Sequence, residues 1–284
     1  GTLNVMQENR QKFKVGLVQM TSNDVIADNV AMAEELIREA VAKGANFVLT
    51  PEMTTLLDFG TKEVMEKITI EAEDQSWRHF ALLAKELNIW LLIGSIAIKN
   101  GNKAANRSFL FSPDGSKRAT YDKIHMFDVD IPGDKAYRES NAYQAGNQAV
   151  IADLPWGKVG LSICYDLRFP HLYRQLSQAG ASFLTVPSAF TYVTGKAHWH
   201  TLLKARAIEN GAYVFAPAQV GDHKNGRKTY GHSLVIDPWG EVVCDGGEDV
   251  GVSIAEINME KVGKARNRIA SLTHDQKVVI REFE

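Results

Sequence analysis

Hydrophobic and polar positions alternate along the chain with two periods, one of strands and one of helices. Residues 14–20 (KVGLVQM) form an apolar run of buried-strand length, and residues 28–43 carry apolar side chains at helical spacing. Gly44 predicts the end of that helix, and residues 46–50 predict a second strand closed by Pro51. A further helix is expected over residues 76–87, capped by Ser76 with acidic residues just ahead of it. Residues 90–98 are apolar on both faces, the pattern of a central strand covered on each side. Residues 107–111 and 117–121 predict a hairpin around Pro113-Asp114-Gly115. Residues 123–148 show no strong period and include Pro132 and two glycines; such a stretch inside a compact fold is usually functional or mobile.

The second half repeats this order. Strands are expected over residues 158–163, 182–186 and 213–217, with helices over 170–178 and 198–210 between them. VGLVQM at residues 15–20 matches VGLSIC at 159–164, and GANFVLTPE at 44–52 matches GASFLTVPS at 180–188. Two β-α-β units with the same punctuation suggest two similar halves in one α/β domain, since no Pro/Ser-rich linker divides them. Chance similarity between short apolar strands is the alternative. The domain is expected over residues 13–284. Residues 1–12 form an extension whose first residues read as a cloning remnant, with Met6 a candidate start.

Composition narrows the class. The chain has 284 residues, 45% hydrophobic and 23% charged, which fits a globular protein and excludes wholesale disorder. With 32 basic and 34 acidic side chains there is no basic footprint for nucleic acid or an anionic membrane. The longest apolar run, residues 89–98, is far short of the roughly 20 residues that span a bilayer. Two cysteines, Cys164 and Cys244, cannot form a disulfide framework and lack zinc-ligand spacing. No secretory signal opens the chain, so the expected location is cytoplasmic, and the glycosylation match at Asn106-Arg107-Ser108 carries nothing.

Three residues stand where chemistry is done in α/β sheets, at the carboxyl ends of strands. Cys164 ends one apolar strand and leads into a helix opened by Pro170, a setting that should lower its pKa and make it nucleophilic. A buried, inert thiol is the other reading; Cys244, on a plain strand after Pro238-Trp239-Gly240, is read that way. Glu52 follows the second strand, where a carboxylate needs a partner to offset desolvation. Lys123 enters the irregular segment. Either could equally be a solvated side chain if it stood alone. His198 and His200 lie two apart in a helical pattern, hence on different faces, which disfavours a metal pair. Gly160-Leu161-Ser162-Ile163-Cys164 falls short of a serine nucleophile elbow, because cysteine replaces its last glycine.

Taken together, Thr50-Pro51-Glu52-Met53, Tyr121-Asp122-Lys123-Ile124-His125 and the run from Gly160 to Pro170 resemble the Glu, Lys and Cys signatures of the nitrilase superfamily of carbon–nitrogen hydrolases. The stretches 195–200, 205–209, 230–233 and 237–240 resemble its Nit branch, although His200 stands where animal members are expected to have glutamate. The resemblance implies a four-layer α-β-β-α sandwich of two facing mixed sheets and association into a homodimer or larger homo-oligomer. It implies an amidase that cleaves a linear, non-peptide amide of a small carboxylated substrate through a cysteine thioester. Deaminated glutathione is the implied substrate, with α-ketoglutaramate or a related dicarboxylate monoamide as the alternative; a non-catalytic binding protein is the remaining reading. Cys164 would be the nucleophile, Glu52 the proton shuttle and Lys123 the oxyanion partner, with Glu139 as a second glutamate. Tyr165, Arg168 and Phe190 are the expected substrate contacts, Arg168 as the carboxylate anchor. No metal and no organic cofactor are called for.

Overall fold

A computed structural model describes residue 2 and residues 11–284. Most of the expected N-terminal extension lies outside the described residues, and its last residue, Lys12, already belongs to the first strand. Strands β1 (Lys12–Gln19), β2 (Phe47–Leu49), β3 (Trp90–Asn100), β4 (Lys103–Phe111) and β5 (Lys117–Asp122) lie side by side in that order. The irregular segment holds a two-stranded ribbon, β6 (Asp128–Asp130) with β7 (Ala136–Arg138), and the short β8 (Tyr143–Gln144), which pairs with β4. A second sheet contains β9 (Ile151–Leu154), β10 (Gly157–Leu161), β11 (Ala181–Thr185) and β12 (Tyr213–Ala216). After the ribbon β13 (Val220–Asp222) and β14 (Lys228–Tyr230), that sheet is extended by β15 (Leu234–Ile236) and β16 (Val242–Asp245). The last strand, β17 (Gly251–Asn258), returns to pair antiparallel with β1.

The sequence repeat is a structural one. β1 to β3 run parallel and are followed by antiparallel β4 and β5; β10 to β12 run parallel and are followed by antiparallel β15 and β16. Helix α1 (Ile26–Ala42) joins β1 to β2, ending at Gly44, whose φ of +98° suits glycine. After the short α2 (Thr61–Lys67), α3 (Gln75–Leu87) leads into β3. Its cap is Asp74, whose carboxylate accepts the Trp77 N–H at 3.0 Å, and Ser76 is buried inside the first turn. The serine fits the cap pattern equally well, but the carboxylate two residues earlier is placed to accept the orphan amide.

Alternation along the strands sorts the layers. Phe13, Val15, Leu17, Phe47 and Leu49 face the second sheet, and Phe47 meets Phe215 edge-on at 6.3 Å. Val18, Val48, Leu91 and Ile93 face outward against Ile37 and Ala40 of α1 and Phe80 and Ala84 of α3. On the far side, α4 (Pro170–Gln178) presses Leu176 onto Gly160 of β10, and α5 (His200–Asn210) buries Leu203 and Ala207. The final helix, α6 (Glu260–Arg268), follows β17. The order of layers is α-β-β-α. Each fully buried Leu, Val or Phe here contributes about 1.5–3 kcal/mol, and the carboxyl ends of the parallel strands are left at the rim, where loops meet.

Candidate active site

Each of three strand ends delivers one side chain. β2 runs out at Leu49, and the Thr50-Pro51 turn carries Glu52 back over β3. Gly94 makes this possible: a Cβ there would lie 2.2 Å from the Thr50 carbonyl oxygen and 2.4 Å from that of Pro51. Met53 takes a left-handed φ of +56°, and the buried Gln219 amide donates to the carbonyls of Glu52 and Met53 at 3.0 and 3.2 Å. β5 ends at Asp122, and Lys123 follows with its N–H on the Asn106 carbonyl at 3.0 Å. β10 is followed by Cys164, also left-handed at φ +45°, with its N–H on the Pro187 carbonyl at 3.0 Å. The turn after it is held by Asp166, fully buried, which accepts the Ile163 N–H (2.9 Å), the His125 N–H (3.0 Å) and the Tyr121 hydroxyl. That carboxylate ties the Cys164 and Lys123 strand ends together.

Inside, the charges interlock. The Lys123 ammonium donates to Glu52 Oε2 at 3.0 Å and to Glu139 Oε1 at 2.8 Å. Asn106 donates to the same two carboxylates, to Glu52 Oε2 at 2.9 Å and Glu139 Oε2 at 3.1 Å. The other Glu52 oxygen accepts the Ala189 N–H at 3.0 Å, and Glu139 Oε1 accepts the Phe127 N–H at 2.8 Å. Glu52 and Lys123 are 1% and 2% exposed, so neither could stay charged without the other. Burial pushes the Glu52 carboxyl up, but Lys123, Arg227 and the hydrogen bonds more than offset it and hold it below the usual value. Burial likewise opposes the Lys123 charge, and the two glutamates override it and raise its pKa.

The thiol corrects the sequence reading. Burial and the Glu52 charge raise the Cys164 pKa well above the ordinary thiol value, against smaller lowering by Lys123, a backbone amide and Arg227. The turn that follows is only a five-residue 3-10 turn, so no long helix dipole reaches the sulfur. The resting site therefore holds a neutral thiol beside an ionised carboxylate and an ammonium. A cavity of about 220 Å³ opens on them, its lining including Glu52, Lys123, Glu139 and Cys164 together with Phe59, Tyr137 and Arg227.

The pattern of the carbon-nitrogen hydrolase family matches residues 14–267. The chain belongs to the carbon-nitrogen hydrolase family. It is 42% identical to a deaminated glutathione amidase of Synechocystis over 92% of this chain and 97% of that protein. It is 37% identical to the human omega-amidase NIT2, over 90% and 92% of the two chains. In structure it resembles Saccharomyces cerevisiae Nit3, a member of branch 10 of the nitrilase superfamily, with TM-score 0.82, 30% identity and 91% and 94% coverage. Its reaction class is hydrolysis of non-peptide amides.

Within this carbon-nitrogen hydrolase, Tyr165 and Phe190 line a narrow cleft that also touches Cys164. Arg168 does not line either space. It lies over the Phe190 ring at 5.4 Å and donates to His198 Nδ1 at 3.1 Å, and the Asp166 carboxylate is taken by Tyr121 and His125. In its place the cavity holds Arg227, which the sequence reading missed. Arg227 is 6% exposed, its Nη2 donates to the Ala189 carbonyl at 2.6 Å, and its buried Nε has no hydrogen-bond partner among the described residues. Asn106 was passed over as a glycosylation match and is instead a buried bridge. Its strand, β4, also carries Lys103, Arg107 and Ser108, so nothing in the local pattern set Asn106 apart. Among the described residues, no helix is long and apolar enough to cross a membrane.

Proposed function

We propose that this hydrolase cleaves the amide of a small carboxylated substrate with Cys164 as nucleophile. The observation that carries it is a lysine side chain held between two buried carboxylates, with the buried Cys164 thiol in the lining of the same cavity. As Sγ attacks the carbonyl carbon, Glu52 accepts the thiol proton and hands it to the departing amine, leaving a thioester. Glu52 then takes a proton from water, which attacks the thioester, and the proton returns to the sulfur as the acid leaves. Lys123 and the Tyr165 backbone N–H face the tetrahedral oxyanion, the largest single source of rate enhancement in such reactions. Glu139 keeps Lys123 charged and aimed. The chemistry needs no cofactor.

Arg227 is the residue best placed to receive the substrate carboxylate. Its charge is felt at both Glu52 and Cys164, so it stands close to the reacting centre, and a guanidinium edge with an unused N–H suits a carboxylate. Deaminated glutathione and α-ketoglutaramate both carry a keto-acid carboxylate on the acyl side of the scissile amide. The first is favoured by the 42% identity to an amidase of that name, and the second is the alternative. The proposal extends to a single hydrolase domain over residues 13–284 and a cytoplasmic homodimer. The test is kcat/KM for deaminated glutathione, α-ketoglutaramate and a neutral amide of similar size, on wild type and Cys164→Ala. Deaminated glutathione should lead the panel and Cys164→Ala should be inactive on all three. A neutral amide turned over as well as the acids would overturn the substrate class.

A further inference from the structure

His198 and His200 part company in the fold. His198 turns to Arg168, whereas His200, in the first turn of α5, reaches across to the β14–β15 connection and the end of β16. There its Nε2 lies 2.9 Å from Asp245 Oδ2, and His232 Nδ1 lies 2.9 Å from Asp245 Oδ1. We infer that His200, His232 and Asp245 form a binding site for a borderline divalent transition metal of the zinc class, separate from the amidase chemistry.

Three features carry this. The three donor atoms lie within 4.8 Å of one another, so side-chain shifts of about an ångström or less bring each to the roughly 2.0–2.2 Å expected around zinc. Two imidazoles and a carboxylate are the donor set that zinc prefers over magnesium or calcium, which favour oxygen alone. The ligands are also held from behind. Asp245 Oδ1 accepts the Gly247 N–H at 2.9 Å, the His232 N–H donates to the Gly247 carbonyl at 2.7 Å, and the His232 ring stacks on Tyr230 at 4.3 Å. Such supporting contacts orient metal ligands and set affinity. Among the described residues, the partners of the Asp245 carboxylate besides that amide are two histidines, and no lysine or arginine is paired with it.

With the metal bound, Asp245 Oδ2 turns from the His200 ring to the ion, Oδ1 keeps the Gly247 amide, and each imidazole carries its remaining proton on the nitrogen facing away. Three protein ligands leave one tetrahedral position for water, an open site. Its ligands come from three elements, so the ion would staple α5 to the β15–β16 hairpin. The Trp199 indole donates to the His232 carbonyl at 2.8 Å and packs on Phe190 at 5.0 Å, so the staple ends one side chain away from the cleft at Cys164.

Thermal melting of the full-length Cys164→Ala protein, in which the reactive-site thiol cannot compete for the ion, tests this with zinc chloride and magnesium chloride as probes. Zinc at micromolar excess should raise the melting temperature by several degrees with one ion bound per chain by calorimetry, and magnesium should do nothing. His200→Gln and Asp245→Asn, each added to that background, should remove the zinc-dependent rise while leaving the metal-free melt near its parent value. A zinc-dependent rise that survives both substitutions, or no rise in the parent at all, would overturn the site.

Discussion

The charges around Cys164 decide how the site works. Lys123 is shared between Glu52 and Glu139, and burial together with the Glu52 charge outweighs Lys123 and Arg227 in setting the thiol, which is held protonated. Because Glu52 titrates below the usual carboxylate value and the thiol above its own, both are in their working forms throughout the neutral range. The kcat/KM profile should therefore be flat between about pH 6 and 8.5, falling on the acid side as Glu52 protonates. A thiolate-dependent enzyme would instead rise through that window with the ionisation of the sulfur, around 8.5 for an ordinary thiol. The second residue-scale prediction concerns Arg227. Arg227→Lys keeps the charge and removes the planar fork, so KM for a carboxylated amide should rise about 10–100-fold, the worth of a charge-assisted hydrogen bond of roughly 1.5–3 kcal/mol. The neutral amide should change much less. Equal losses on both substrates would assign Arg227 to holding the Ala189 loop.

At the scale of elements, function depends on how closely strands approach. Gly94 lies where β3 passes under the Thr50-Pro51 turn, and its N–H donates to the Thr50 hydroxyl at 3.1 Å. A methyl group there meets backbone, which cannot swing aside as a side chain can. Gly94→Ala should cost at least the roughly 1–3 kcal/mol of an overpacked core, and should cut kcat by about 100-fold by displacing Glu52 on the order of 1 Å. A denaturant melt and a kcat measurement on the soluble variant check both; an unchanged kcat would show that Glu52 is positioned without β3.

Strand ends are also where the sequence was legible. Glu52, Lys123 and Cys164 each follow a strand within a contiguous motif; none is marked by its own surroundings alone, and the order of the three motifs together singles them out. Arg227 and Gln219 were not legible, because they matter through contacts to Ala189, Glu52 and Met53 that are remote in sequence. Arg168 misled for the converse reason. It sits four residues from Cys164, yet the 3-10 turn sends its side chain to His198. The repeat of β1-α1-β2 in β10-α4-β11 was legible because glycine and proline punctuate both units alike. That the two units lie in different, facing sheets was not, since only side chains such as Phe47 and Phe215 packing across the interior decide it.

For the whole molecule, buried polar groups tie the halves together and set the acid limit of stability. His223 joins the ribbon β13–β14 to the loop after β1: its Nδ1 donates to the Ser22 carbonyl and its Nε2 accepts from the Thr229 hydroxyl, both at 2.7 Å. That arrangement suits a neutral ring, and burial, aided by Arg227, lowers its pKa from 6.5 to about 4. A depressed histidine contributes stability that is present above its unfolded pKa and is lost as pH falls from about 6.5 to about 4. At 1.36 kcal/mol per unit this is about 3 kcal/mol. His223→Gln should be less stable at pH 7 but lose less on acidification across that window, read as a shallower slope of melting temperature against pH. Parallel slopes for the two proteins would place the acid sensitivity elsewhere.

The central claim is that amide hydrolysis runs through a thioester on Cys164. Its most direct test is acid-quenched peptide mass spectrometry during steady turnover of a carboxylated amide. The account predicts an adduct on the Cys164 peptide equal to the substrate minus its amine, no adduct on the Cys244 peptide, and neither adduct nor turnover in Cys164→Ala. Turnover that persists in Cys164→Ala, or an acyl group found on any other residue, would contradict it.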